Sequence, residues 1–134
     1  APKADPVLGD VAMQLSTDLM LRCPADWMAR QMTAAGQAAW LYQLDIDADP
    51  KADVHHGSEL NFVFNDRPEG VKKDRWPTLM DYWVQFAKTG DPNRKGLDDW
   101  KSYGRKGRYI EFTRKGSQTK DGMRADICAL LDRP

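Results

Sequence analysis

The segment Ala38-Ala39-Trp40-Leu41-Tyr42-Gln43-Leu44-Asp45-Ile46 constrains this chain more than any other part of it. It is short, rich in aromatic and aliphatic residues and apolar on both faces, which is the pattern of a strand buried on two sides within a sheet. Such a strand needs helical cover above and below. The one other convincing strand, Arg108-Tyr109-Ile110-Glu111-Phe112-Thr113, alternates polar and apolar residues as an edge or hairpin strand does. A two-sided strand without central neighbours implies a sheet completed by something outside these 134 residues.

Helical periodicity accounts for most of the remainder. Val11, Leu15, Leu19 and Met20 recur every three or four residues and predict a helix over 8–22, which Cys23-Pro24 is expected to interrupt. A second helix runs from Pro24 to about Ala34, with Gly36 as its C-cap. Met13, Met20, Met28 and Met32 are expected to fill the core. Pro77 to Lys88 is the strongest helix, with Leu79, Met80, Trp83, Phe86 and Ala87 on one face and Gly90 and Pro92 to stop it. A last amphipathic helix spans Asp121 to Leu131, with Met123, Ile127, Leu130 and Leu131 expected on its buried side.

Composition excludes several classes. Leu, Ile, Val and Phe make up only 24 residues, but 20 basic and 20 acidic side chains cancel, and five Trp, four Tyr and four Phe supply core material, so disorder is not expected. Balanced charge argues against a nucleic-acid partner, since phosphate selects for a basic excess. No apolar run approaches the roughly 18 residues that span a bilayer, so no membrane partner is expected either. Cys23 and Cys128 are too far apart for a redox pair and too few for structural zinc; they read as a disulfide or as two buried thiols.

Few side chains are candidates for chemistry. His55 and His56 are the two histidines, and neighbouring side chains in an extended segment point opposite ways, which makes them poor joint metal ligands. His56 follows the buried strand, and open α/β sheets place reactive groups beyond the carboxyl ends of their strands. An imidazole there can take and return a proton near neutral pH. Asp45, Asp47 and Asp49 resemble the start of a calcium loop, but Pro50 and His56 occupy positions that need Gly and Glu, so a solvated acidic loop is expected. The basic stretch Arg105-Lys106-Gly107-Arg108 reads as a charged edge hairpin. There is no G-x-S-x-G elbow, phosphate loop or H-E-x-x-H motif, and no cofactor or metal is expected.

His56-Gly57-Ser58-Glu59-Leu60-Asn61-Phe62-Val63-Phe64 resembles the catalytic-histidine segment of the type-B carboxylesterase and cholinesterase family, in which His, two residues, Glu, an aliphatic residue and F-V-F recur. Tyr82-Trp83-Val84-Gln85-Phe86-Ala87-Lys88-Thr89-Gly90-Asp91-Pro92-Asn93, followed by the segment from Trp100 to Tyr103, is similar to that family's downstream signature. Cys23-Pro24 and Trp40-Leu41-Tyr42 fall where the family has its pre-histidine helix and strand, and Met123 to Cys128 resembles the last cholinesterase helix.

The resemblance implies an α/β-hydrolase fold, of which residues 1–134 form the C-terminal third as one segment of a single catalytic domain, incomplete on its own. It also implies a serine esterase that works through an acyl-enzyme, with a small-molecule ester as substrate and no cofactor. His56 becomes the base, and the nucleophile and acid lie in an N-terminal part that is this chain's partner. Glu59 is expected to be a buried structural carboxylate beside the site. Cys23 and Cys128 gain a reading as the family's disulfide, which implies a secreted or periplasmic location. The alternative within the same family is an adhesion domain that keeps the fold and has lost the triad.

Overall fold

Residues 3–5, 8–49, 51–65, 67 and 78–131 are described by a computed structural model. They divide into two compact units: residues 1–41, 102–109 and 120–134 in one, 42–101 and 110–119 in the other.

In the first unit, the Asp10 side chain accepts the Met13 N–H and so opens α1, Val11–Thr17. The helix does not stop at Cys23-Pro24 as its sequence suggests. It widens into a π-helical turn, Asp18–Arg22, and continues as α2, Cys23–Ala34. Cys23 keeps helical angles, and its N–H reaches back five residues to the Asp18 carbonyl. The wide turn shifts the carbonyls that the Pro24 ring would otherwise meet, so the proline is absorbed rather than terminating. Gly36, at φ +75°, then ends α2: the Gln37 N–H bonds the Met32 carbonyl and the Gly36 N–H bonds the Thr33 carbonyl.

This helical stretch is buried on an unexpected side. Gln14, Asp18 and Asp26 are buried, while Val11, Leu15, Leu19, Trp27 and the four methionines expected in the core are exposed, Met20 at 73%. Burial of the polar residues is tolerable because each is satisfied. Gln14 donates to the Lys3 and Gly9 carbonyls. Asp18 accepts from Arg22 and Arg124, and Asp26 accepts from the Tyr103 hydroxyl at 2.6 Å and from Arg30 at 3.0 Å. Tyr103 packs with Ala29, Ala39 and Leu41. The final helix, α5 at Ala125–Leu131, is joined to α2 by the Cys23–Cys128 disulfide, with Cα atoms 5.1 Å apart. Arg124, just ahead of α5, takes a left-handed φ of 53° and bonds Asp18 through Nε and Nη2. Leu130 and Leu131 are exposed, contrary to expectation; Cys128 and Met123 are the buried residues there.

The second unit is built on aromatic contacts. Tyr82, Trp100 and Phe112 are buried, and with Tyr42 they meet at centroid distances between 5.4 and 6.3 Å, mostly edge to face. Tyr82 comes from α4, Leu79–Thr89, which Gly90 ends at φ +76°. Pro77, expected to start that helix, lies outside the described residues. α4 buries Leu79 and Tyr82 and leaves Trp83, Val84 and Phe86 exposed, so its buried face is displaced from the one its apolar spacing suggests. The shorter α3, Glu59–Phe64, buries Phe62 and Val63.

A three-stranded sheet of order β1-β2-β3 is formed by Leu41–Leu44, Arg108–Thr113 and Gly116–Asp121. The Tyr103 N–H bonds the Ala39 carbonyl and the Asp45 N–H bonds the Phe112 carbonyl, so β1 and β2 run parallel. β2 and β3 are joined by a two-residue turn and are antiparallel, with the Gly122 N–H bonding the Gly107 carbonyl at the far end. β2 is therefore central rather than an edge, and Ile110, Glu111 and Phe112 are buried in it. The edge is β3, whose Gly-Ser-Gln-Thr-Lys-Asp composition carries no apolar alternation. β1 is shorter than expected, and among the described residues it pairs on one side.

Candidate active site

Between the carboxyl end of β1 and the start of α3 the chain turns through a loop that ends in Val54-His55-His56-Gly57. Ser58, immediately before α3, stands at the usual capping position, but its hydroxyl makes no helix cap. It points back across the loop instead and donates to Asp47 Oδ2 at 2.5 Å. It also accepts the His55 N–H at 3.0 Å and lies 3.0 Å from His55 Nδ1. Ser58 is 1% exposed and Asp47 7%. Asp47 Oδ1 accepts the Asp49 N–H, so one carboxylate closes its own turn and ties down the approach to the histidines.

The acidic loop is thus not uniformly solvated, which corrects the sequence expectation for Asp47. Asp49 is exposed, Asp45 is half-buried against Gln43, and Asp47 is buried because it has donors to meet it. Burial pushes the Asp47 carboxyl upward. The Ser58 hydroxyl, the Asp49 N–H, the charge of His55 and the Ala48 N–H together outweigh that and hold it below the usual carboxylate range.

The two imidazoles have different surroundings. His55, with its side chain 69% exposed, is engaged by Ser58 and lies 3.6 Å from Asp47 Oδ2. His56 is exposed, and its ring makes no hydrogen bond or ion pair among the described residues. Gly57 follows at φ +94°, a backbone state that an L side chain adopts only under strain. Glu59 is the first residue of α3 and is half-buried rather than buried. Its charge adds to burial in pushing the Tyr42 hydroxyl up to about 12. The pairing of Asp47 with Ser58 went unnoticed in the sequence, where Asp47 reads as part of a solvated acidic loop and a Ser directly before a helix points to a cap.

An exposed imidazole on the loop that follows a sheet strand, with that loop pinned to the next helix, is open to solvent and able to exchange a proton near neutral pH. The sequence model of the carboxylesterase family matches residues 5–131, and the chain belongs to that family. It is similar to the liver carboxylesterase of Sus scrofa, 31% identical over 116 residues that make up 77% of this chain and 20% of that protein. To carboxylesterase 1D of Rattus norvegicus it is 28% identical over 127 residues, 86% of this chain and 22% of that protein. A medium-chain fatty acyl-CoA hydrolase precursor of Anas platyrhynchos is 33% identical over 99 residues, 63% and 17% of the two chains. The chain thus corresponds to the C-terminal portion of a carboxylesterase and spans about a fifth of the length of these relatives, less than the third expected. Its helices and three strands are a partial α/β unit of such a domain. No helix among the described residues is long and apolar enough to cross a membrane.

Proposed function

We propose that the chain works as one segment of a single carboxylic-ester hydrolase domain and supplies the catalytic histidine, His56, to a serine nucleophile and an acid carried by an N-terminal part. The observation that carries this reading is the exposed His56 ring on the loop between β1 and α3, a loop fastened by Asp47 and Ser58. His56 takes the proton from the serine hydroxyl as it attacks the ester carbonyl. It returns that proton to the departing alcohol, and the acyl-enzyme is then released by water, activated by the same ring. Glu59, one helical turn along, acts as a structural carboxylate.

Two features support a partner that completes the domain. β1 has one paired side among the described residues, and an open apolar edge strand is a liability that proteins cover. Apolar side chains stand exposed in each unit: Met20, Trp27 and Met28 in the first, Phe64, Trp83 and Phe86 in the second. The disulfide supports the further part of this proposal, a secreted or periplasmic location, because such bonds persist in oxidising compartments.

The test is hydrolysis of a chromogenic ester by the intact protein. His56→Ala should abolish turnover, with a loss of at least about 10³-fold, whereas His55→Ala should keep most of it. Equal loss in both variants, or full activity in His56→Ala, overturns the assignment.

A further inference from the structure

We infer that Ser58, anchored by Asp47, is the positioning residue for His56, an inference that rests on the esterase reading above. Ser58 is 1% exposed, and its hydroxyl takes part in three contacts: it donates to Asp47 Oδ2, accepts the His55 N–H, and meets His55 Nδ1 at 3.0 Å. The backbone is pinned on both sides of His56. On one side the His55 N–H is held by the Ser58 hydroxyl. On the other, the Ser58 N–H donates to the His55 carbonyl at 3.1 Å and the Leu60 N–H to the Gly57 carbonyl at 3.0 Å, while Gly57 takes its left-handed φ of 94°. Asp47 sits three residues beyond the last residue of β1 and Ser58 one residue before α3, so a single hydrogen bond fastens strand end to helix start and closes the loop that carries the imidazole.

The clamp touches His55 and the backbone around His56, but no contact joins it to the His56 ring. Its role is therefore geometric. A general base must stand within hydrogen-bond reach of the hydroxyl it deprotonates, and a displacement of about 1 Å costs on the order of 100-fold in rate. An unclamped loop would leave the ring sampling positions outside that reach, lowering the chemical rate while substrate binding is preserved. A serine buried against a carboxylate and adjoining a histidine is also a nucleophile's neighbourhood in composition. Its burial and its direct bond to Asp47, with no imidazole interposed, give it the clamping role instead.

The test compares Ser58→Thr with Ser58→Val in the intact protein. The two new side chains have the same shape, so any crowding is shared and the difference reports the hydroxyl alone. Turnover is measured per active site, titrated by the burst of a chromogenic ester, so that a loss of folded protein does not masquerade as a slower reaction. The expected result is a kcat for Ser58→Val about 10- to 100-fold below that of Ser58→Thr, with KM unchanged within about twofold. Asp47→Asn, which retains an acceptor oxygen, should likewise exceed Asp47→Leu by a similar factor. Should the Ser58 variants fail to fold, the Asp47 pair reads the same bond. Equal kcat within both pairs overturns the clamp, as does a difference confined to KM. His56→Ala is the control: if it retains activity the esterase assignment fails, whereas an inactive His56→Ala beside equal pairs sinks the clamp alone.

Discussion

Replacing both half-cystines by alanine, Cys23→Ala with Cys128→Ala, removes the link between α2 and α5 and keeps a small apolar group at positions that are 5% and 1% exposed. The bonded residues are 105 apart. In the chain-entropy argument a closed loop of about 100 residues is worth about 4.7 kcal/mol, and measured disulfides commonly give about 2–4 kcal/mol. A destabilisation of about 3–4 kcal/mol is therefore expected, a large share of the roughly 5–15 kcal/mol that a native domain commands. The segment just ahead of α5 is also tied to the π turn by Arg124 and Asp18, which is 1% exposed; Arg22 stays paired with that carboxylate, so Arg124→Met removes one of its two cations and costs about 1–3 kcal/mol with the disulfide present. Without the disulfide, the seven-residue α5 can undock locally, and that escape caps the cost of the second change. The two perturbations should then combine to less than their sum. The assay is urea unfolding of the intact protein, with amide exchange at Ile127 and Cys128, whose N–H groups bond the Arg124 carbonyl. A loss under about 1 kcal/mol in the double alanine variant, or two titratable thiols in unfolded, unreduced protein, refutes the reasoning.

Alkaline stability should fall between pH 10 and 12. Burial, then the charge of Asp98, pushes the Tyr82 hydroxyl up to about 12, so its neutral form is favoured in the folded state; the contribution is complete below pH 10 and lost as pH rises through 12. The shift is worth about 3 kcal/mol at most, and Tyr82→Phe, which cannot ionise, should flatten the decline in a pH series of thermal melts. If wild type and variant decline in parallel, Tyr82 is not responsible. Leu79→Ala, at a residue 0% exposed, should cost about 2–5 kcal/mol, and Trp83→Ala should cost a comparable amount in the intact protein because the proposed N-terminal part covers that side of α4; a far smaller cost would refute the cover. Denaturant midpoints of the intact protein decide between those outcomes.

Much of the architecture was legible because it depends on local chemistry. Gly36 and Gly90 stop helices where a left-handed residue is required, and the period of α4 is visible whatever surrounds it. The placement of His56 after a sheet strand was legible too, from a motif of contiguous residues. Other features were not. β3 is polar throughout and becomes a strand by pairing with β2 rather than by propensity. The continuous helix through Pro24 depends on a π turn that no residue pattern announces. Asp47 and Ser58 are 11 residues apart with no shared period, so the clamp exists only once β1 and α3 bring them together.

The same division holds for burial. The order of residues alone determined where the amphipathic helices lie and that an imidazole follows the first strand, since these depend on spacing along the chain. Tertiary structure alone decided which side of each helix faces its own unit. Gln14, Asp18 and Asp26 are buried because Lys3, Gly9, Arg124 and Tyr103 supply their hydrogen bonds, and those donors and acceptors lie up to 106 positions away. Hydrophobicity ranks residues one at a time, whereas burial of a polar group is settled by whether a partner arrives to replace the water it loses.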